Sequence, residues 1–177
     1  MKTCLLVIDY QNDFINGALG FPGADQLADG IKQLIDRYHQ AKEDVIFTFD
    51  THDQDYLETQ EGQRLPIKHC IQGTVGHRLY PSIDDAKKKT DKVFFKPTFG
   101  SLELANYLKN QGYQEISIVG LVTNICVISN AVLAKAALPE ATIIIYKNLI
   151  ASFDESLHEK TLDVMESLQM DIREYHL

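Results

Sequence analysis

The sequence predicts a three-layer α/β fold in which a doubly wound, mostly parallel sheet is covered by helices on both faces. Short β-branched runs alternate along the chain with longer amphipathic stretches, without repeats or low-complexity linkers. Strands that alternate with helices pair in parallel, and the connecting helices cover both faces of the sheet. The 177 residues, of which 45% are hydrophobic, are enough for one substantial core and too few for two. We therefore expect one domain over residues 1–177.

Each element is predicted from its hydrophobic pattern. Runs of apolar residues, such as TCLLVID at 3–9, indicate strands that are buried on both faces. The other predicted strands are residues 44–50, 92–96, 115–121 and 141–147, with a possible edge strand at 171–175. Apolar residues three or four positions apart indicate helices, and Gly112 is a stop signal for one of them. The predicted helices are residues 24–42, 101–112 and 154–168, and the helix that holds Cys126.

One segment, residues 51–91, does not fit this alternation. It is long and polar, and it carries glycines, prolines and two histidines, His52 and His69. Long loops in compact domains are usually functional or disordered. The absence of low-complexity sequence here favours a function.

Composition excludes several classes of partner. The net charge of −8 argues against binding to nucleic acid or to an anionic membrane. No apolar run approaches the roughly 20 residues that span a bilayer, and the first residues do not resemble a signal peptide, so we expect a cytoplasmic protein. The three cysteines, Cys4, Cys70 and Cys126, form no CxxC pair, which argues against a disulfide scaffold or a thiolate zinc site.

Reactive side chains are concentrated where the predicted strands end. Asp9, Asp50 and Lys96 each end a strand, and Cys126 follows the fourth strand by five residues. Ligands of open parallel sheets bind outside the carboxyl ends of the strands. Taken singly, each residue also has a structural interpretation: a turn-forming aspartate, a solvated lysine or a small buried cysteine. Together at one edge they would shift one another's pKa values, which favours a catalytic site.

Cys126 is expected in the first turn of a helix. The unpaired N–H groups and partial positive charge of a helix N-terminus lower the pKa of a thiol. The same N–H groups could hold a developing oxyanion. The sequence therefore indicates a nucleophilic cysteine.

The second strand leads into a candidate metal site. Asp50 and His52 are two residues apart, so their side chains share a face at the strand end, and His69 follows in the long segment. Two imidazoles and a carboxylate suit a divalent transition metal with open positions for water. The alternative is a polar loop with incidental histidines. Four acidic residues could supply a fourth ligand: Asp53, Asp55, Glu58 and Glu61. His39 and His77 are expected at the surface or in structural roles, and His158 and His176 far from this edge.

Three segments together resemble the isochorismatase-like cysteine hydrolases, and within them the nicotinamidases. They are LLVIDYQNDF around Asp9, VFFKPTFGS around Lys96 and VGLVTNICV around Cys126. The resemblance covers essentially the whole chain. It implies the isochorismatase-like hydrolase fold, which is Rossmann-like, and it implies that these three residues are catalytic.

The resemblance also implies further site residues. A cis peptide would join Leu121 to Val122, the N–H groups of Val122 and Cys126 would form the oxyanion hole, and Phe14 would pack on the substrate ring. The segments DTH and LPIKHCIQGTVG resemble the nicotinamidase metal segment. They imply zinc, or alternatively iron or manganese, bound by four residues in which Glu61 is preferred over Glu58: Asp50, His52, Glu61 and His69.

The implied activity is hydrolysis of a small amide through a thioester, with nicotinamide converted to nicotinate in NAD salvage. The alternatives are another small amide or carbamoyl compound, or a vinyl-ether hydrolysis of the isochorismatase type, which does not need the thiol of Cys126. By analogy with the family, the implied assembly is a homo-oligomer, a dimer or a tetramer.

Overall fold

The computed structural model describes residues 1–176, and its centre is a sheet of six parallel strands. The strands are β1 (Thr3–Ile8), β2 (Asp44–Asp50), β3 (Lys92–Lys96), β4 (Glu115–Leu121), β5 (Thr142–Ala151) and β6 (Asp171–Arg173). Their order across the sheet is β3-β2-β1-β4-β5-β6. The predicted doubly wound sheet is therefore confirmed. The strand order reverses between β1 and β4: β2 and β3 are added on one side of β1, and β4, β5 and β6 on the other. Open α/β sheets bind their ligands at such a switch point.

Helices cover both faces of the sheet. They are α1 (Asn12–Ile15), α2 (Ala28–Ala41), α3 (Gln60–Arg64), α4 (Pro81–Ala86), α5 (Leu102–Gln111), α6 (Ile128–Ala137) and α7 (Glu155–Ser167). Ser101 and Asp154 accept backbone N–H groups at the starts of α5 and α7, which satisfies donors that a helix start leaves unpaired. Gly112 ends α5 in the left-handed conformation, as predicted. Among residues 1–176, no helix combines the length and apolar character needed to cross a bilayer.

Strand β1 shows why the sheet is apolar on both faces. Leu5 and Val7 belong to the core on the side of α2, whereas Leu6 and Ile8 belong to the core on the side of α5, α6 and α7. All four side chains are fully buried. Each contributes about 1.5–3 kcal/mol relative to an exposed side chain, so β1 is anchored firmly in the middle of the molecule.

Strand β5 is longer than predicted. The apolar run suggested a strand over 141–147, but the structure continues it to Ala151. Lys147 and Asn148 interrupt the apolar pattern because they are exposed. The strand nevertheless resumes its pairing with β4, where Ile150 lies opposite Gly120 after an irregularity in the register.

The helix predicted over 24–42 begins as a short 3-10 helix, Ala24–Leu27, before α2. The segment 51–91 is not an open loop, since it contains α3 and α4 and is fastened to α1. The backbone N–H of Asn12 donates to the carbonyl of Arg78 at 2.9 Å. This hydrogen bond helps to hold the segment over the carboxyl edge of the sheet.

Gly120 is required by the close approach of β4 to β1. Its φ is 116°, and an added Cβ would lie 2.1 Å from the carbonyl oxygen of Ile8. No side chain fits there, because two backbones meet at that point. This close approach brings the segments that follow β1 and β4 to the same crevice.

Candidate active site

The structure brings together Asp9, Lys96 and Cys126 at the carboxyl edge of the sheet. They follow β1, end β3 and follow β4, respectively. Lys96 lies between the other two: its Nζ is 2.5 Å from Asp9 Oδ2 and 3.4 Å from Cys126 Sγ. The three side chains are 0–5% exposed, so an acid, an amine and a thiol share one dry site.

Lys96 is held as an ammonium by the carboxylates around it. Its Nζ also lies 3.6 Å from Asp50 Oδ1 and donates to the carbonyl of Thr98 at 3.1 Å. Burial alone would lower the pKa of Lys96, but the charges of Asp9 and Asp50 outweigh burial and raise it. A buried, permanently charged amine can stabilise a thiolate in the same site.

Asp9 leaves β1 in the left-handed conformation, with φ at 44°. Aspartate tolerates this region better than most residues. The Thr48 hydroxyl donates to Asp9 Oδ1 at 2.6 Å, which fixes the carboxylate towards Lys96. Burial raises the pKa of Asp9, and the charge of Lys96 opposes that shift. A carboxylate with a raised pKa accepts a proton more readily than an ordinary aspartate does, as a general base must.

Cys126 does not have the lowered pKa that a helix N-terminus predicted. It lies in a π-turn, Thr123–Val127, that precedes α6. Burial raises the pKa of the thiol well above its ordinary value, although the charge of Lys96 acts in the opposite direction. Loss of hydration thus outweighs the favourable charge of Lys96. The resting group is therefore a neutral thiol that ionises when a neighbour accepts its proton.

The turn that carries Cys126 is fastened to its surroundings. Asn130 Nδ2 donates to the carbonyls of Cys126 at 2.8 Å and of Phe99 at 3.0 Å. The peptide bond between Leu121 and Val122 is cis, which confirms the expectation from the resemblance. Neither Asn130 nor Thr48 was among the predicted residues, since both act through side-chain hydrogen bonds between segments distant in sequence.

The prediction that His158 lies far from the site is wrong. It lies on α7, and its Nδ1 shares a 2.9 Å hydrogen bond with Thr123 Oγ1 at the start of the π-turn. His39 and His77 do have structural contacts, as predicted: the first pairs with Asp91 at 3.0 Å and the second with Thr51 at 2.9 Å. His176 is exposed.

Asp50, His52 and His69 form a candidate metal centre beside Lys96. Their ligand atoms lie within 4.8 Å of one another, and all three residues are buried. Asp50 Oδ2 is 3.0 Å from His52 Nε2 and 3.2 Å from His69 Nε2. Glu61 Oε1 follows at 3.7 and 3.8 Å from the same two nitrogens. The other proposed acids, Asp53, Asp55 and Glu58, are exposed.

The chemistry of these atoms fits a cation. His69 Nδ1 lies 2.8 Å from the carbonyl of Ile67, which can only accept, so Nδ1 carries a proton. In the neutral ring Nε2 is then an acceptor that faces the acceptor Asp50 Oδ2. Without a metal, the same contacts favour a proton on Nε2, because they lower the pKa of Asp50 and raise that of His69, although burial opposes both shifts. A divalent metal bound by imidazole and carboxylate would satisfy every acceptor here.

An apolar cavity of about 390 Å³ adjoins the π-turn. Phe14 contributes to its wall and also lies against the His69 ring, with 5.8 Å between ring centroids. None of the lining side chains has a polar atom: Phe14, Ala18, Leu19, Gly20, Phe21, Leu65, Val122, Ile125 and Phe153. The cavity therefore suits an uncharged, apolar group.

Known proteins resemble this chain in sequence and fold. A family model for the isochorismatase domain matches residues 3–174. The crystal structure of a Bacillus subtilis nicotinamidase/pyrazinamidase matches with a TM-score of 0.85 and 33% identity, over 98% of this chain and 100% of that one. A Mycobacterium tuberculosis nicotinamidase/pyrazinamidase is 28% identical over 139 residues, 70% of this chain and 73% of that protein. A Pyrococcus horikoshii pyrazinamidase in complex with zinc matches in fold, with a TM-score of 0.86 and 21% identity over 99% and 100% of the two chains.

Proposed function

Since the chain belongs to the isochorismatase family, we propose that it is a cysteine-dependent amidohydrolase that converts nicotinamide to nicotinate and ammonia. The observation that carries this proposal is the contact of Lys96 Nζ with both Asp9 and Cys126 in a buried site. A thiol, an acid and a fixed cation are the groups that covalent hydrolysis of an amide needs. The nicotinamidases that resemble the chain support the choice of substrate.

In the first half of the reaction, Asp9 takes the proton of Cys126, and the ammonium of Lys96 stabilises the resulting thiolate. The sulfur attacks the amide carbonyl, and the backbone N–H groups of Val122 and Cys126 stabilise the oxyanion. Asp9 then returns its proton to the leaving nitrogen. The carbon–nitrogen bond breaks, ammonia leaves, and the acyl group remains on sulfur as a thioester.

In the second half, water hydrolyses the thioester. Asp9 is again ionised and accepts the proton of the attacking water, as microscopic reversibility requires. The carbon–sulfur bond breaks, the carboxylic acid is released and Cys126 recovers its proton. Lys96 remains charged throughout, because its two carboxylate neighbours raise its pKa.

The apolar cavity favours a neutral aromatic amide over the alternative substrates. Phe14 and Val122 would contact an uncharged ring there. Isochorismate and many carbamoyl compounds carry carboxylates, and no lining side chain of the cavity could pair with one. Vinyl-ether hydrolysis would also leave the thiol of Cys126 without a role.

We further propose that the four metal-site residues hold a divalent ion: Asp50, His52, Glu61 and His69. Zinc fits two imidazoles and two carboxylates, and iron or manganese would fit the same donors. When bound, the ion would supply Lewis acidity and a site for a ring nitrogen of the substrate. Its presence in the related pyrazinamidase in complex with zinc supports this choice. The cytoplasmic location and the homo-oligomer stay predictions.

The proposed substrate is tested by ammonia release from a panel of compounds. We expect nicotinamide to give the highest kcat/KM, and N-carbamoyl amino acids to react at least about 100-fold more slowly, because their carboxylate would lie unpaired in an apolar cavity. A coupled assay for ammonia measures the turnover of nicotinamide and of the carbamoyl compounds. The absorbance of isochorismate measures the vinyl-ether hydrolysis. Preferred turnover of a carbamoyl acid or of isochorismate would contradict the proposal.

The choice of Glu61 as the fourth ligand is tested by metal content. We expect the Glu61→Gln variant to bind its metal about 10–100-fold more weakly, because an amide is a poorer ligand than a carboxylate. Elemental analysis after dialysis against a graded chelator series measures this affinity. Glu58→Gln is the matched control, since Glu58 is exposed three residues earlier. The assignment would be reversed if Glu58→Gln lost metal and Glu61→Gln kept it.

A further inference from the structure

His158 connects the active site to α7, a helix that supplies none of the proposed catalytic residues. Its Nδ1 shares a 2.9 Å hydrogen bond with Thr123 Oγ1. Thr123 is the first residue of the π-turn, and Cys126 follows three residues later in the same turn. The hydrogen bond therefore fixes the start of the segment that presents the nucleophile.

We propose that His158 is a positioning residue, which holds the π-turn so that the sulfur of Cys126 stays against Lys96. The inference rests on the proposed cysteine chemistry. It assigns to His158 no contact with substrate and no proton transfer. The contribution of His158 passes through the hydroxyl of Thr123.

Burial makes the pair of Thr123 and His158 persistent. Thr123 is fully buried and His158 is 8% exposed, so water cannot easily replace either partner. A threonine that loses such a partner tends to turn its hydroxyl towards a nearby backbone group. In this turn the nearby backbone groups are those that set the position of Cys126.

A second hydrogen bond joins the same two segments. Ser152 Oγ donates to Asn124 Oδ1 at 2.7 Å and accepts the backbone N–H of Asp154 at 3.1 Å. Asp154 in turn accepts the N–H of Leu157 and so caps α7. Successive residues of the π-turn are thus tied to the start of α7. The first turns of this helix act as a fixed support for the nucleophile.

The turn needs such support because its own hydrogen bonds are unusual. The carbonyl of Val122 accepts from both Ile125 at 3.0 Å and Val127 at 3.2 Å. Single π-turns inside helices are rare and persist where their surroundings determine them. Without its contact to α7, the turn would be free to relax towards ordinary helical hydrogen bonding, which would displace the sulfur.

The test compares pairs of variants at each end of the hydrogen bond. His158→Leu and Thr123→Val remove it, whereas His158→Asn and Thr123→Ser keep a polar atom in its place. Thr161→Val is the matched control: Thr161 is also buried on α7, but its hydroxyl donates within the helix, to the carbonyl of Leu157 at 2.6 Å. Each variant is assayed for kcat and KM well below its melting temperature.

We expect His158→Leu and Thr123→Val each to lower kcat about 10–100-fold, since misplacement of a reacting group by about 1 Å can cost 100-fold. KM should change less than about threefold, because most of the cavity lies outside the turn. His158→Asn, Thr123→Ser and Thr161→Val should stay within about threefold of the wild type. The double variant Thr123→Val/His158→Leu should lose no more than either single one.

Alkylation of Cys126 by iodoacetamide gives a readout that needs no substrate. We expect His158→Leu to slow it, because the sulfur moves away from the ammonium of Lys96, and Thr161→Val to leave it unchanged. If the wild-type chain did not hydrolyse nicotinamide, the proposed function would be refuted. The rate of Cys126 alkylation would still test the positioning role of His158. The positioning role of His158 would be overturned if His158→Leu left both kcat and the alkylation rate unchanged. It would also be overturned if His158→Asn or Thr161→Val lost as much activity as His158→Leu.

Discussion

The Cys126→Ala variant is expected to keep its fold and to lose at least about 10⁴-fold in kcat for amide hydrolysis. No other nucleophile occupies its place, because Lys96 is held as an ammonium and Asp9 is engaged by Lys96 and Thr48. The cost in stability should be small, about 1 kcal/mol, since the substitution removes one buried sulfur atom. Ammonia release from nicotinamide measures the loss, and thermal unfolding confirms the fold.

Cys4→Ala is the matched control for this loss. Cys4 is another buried thiol, in β1 and away from the carboxyl edge of the sheet. The same substitution at Cys4 should lower stability by a similar amount and leave kcat within about twofold of the wild type, because Cys4 has no role in the proposed reaction. Hydrolysis by Cys126→Ala within tenfold of the wild-type rate would rule out a covalent intermediate on sulfur.

The fold was predictable because apolar patterns report which residues are buried. Uninterrupted runs identified β1 and β4 almost to the residue, since parallel strands are covered on both faces. The second half of β5 escaped prediction because Lys147 and Asn148 are exposed while the strand continues. A hydrophobic pattern does not report which strands pair with each other. Strand β5 continues beyond Lys147 and Asn148 because it pairs again with β4.

The position of the site was predictable for a related reason. Side chains that follow parallel strands must meet at one edge, which is how Asp9, Lys96 and Cys126 could be grouped before any distance was known. The supporting residues could not be found this way. Thr48 and His158 act through side-chain hydrogen bonds across 39 and 35 positions of sequence, and hydrophobic periodicity does not report such contacts.

The pKa of the Cys126 thiol could not be predicted from the sequence either. A cysteine at the start of a helix suggested a lowered pKa, but the sequence does not show how deeply the sulfur lies. Burial raises the pKa of Cys126, so Asp9 and Lys96 are needed to create the thiolate. A neutral buried thiol therefore depends on these two residues more than a thiol with a lowered pKa would.

The Lys96→Met variant is therefore expected to lose about 10³-fold in kcat. Without the ammonium, Asp9 lies near Asp50 with no cation beside it, and like charges raise the pKa of Asp9 further. Asp9 would then stay protonated and could not accept the proton of Cys126. Removing one partner of this buried ion pair should also lower the free energy of unfolding by about 3–5 kcal/mol, because the folded state loses the attraction between Asp9 and Lys96. Ammonia release and urea unfolding measure the two effects, and Lys92→Met, at the exposed start of β3, is the control.

The double variant Asp9→Asn/Lys96→Met separates catalysis from stability. Removing both charges leaves neither one unpaired, and buried ion pairs replaced by neutral side chains are often no less stable than the original. We expect the double variant to regain most of the stability that Lys96→Met loses, while kcat stays at least about 10³-fold below the wild type, because no group remains to accept the proton of Cys126. Recovery of activity together with stability would show that the pair serves only the fold. Recovery of stability alone would show that this costly buried charge pair is kept for the chemistry at Cys126.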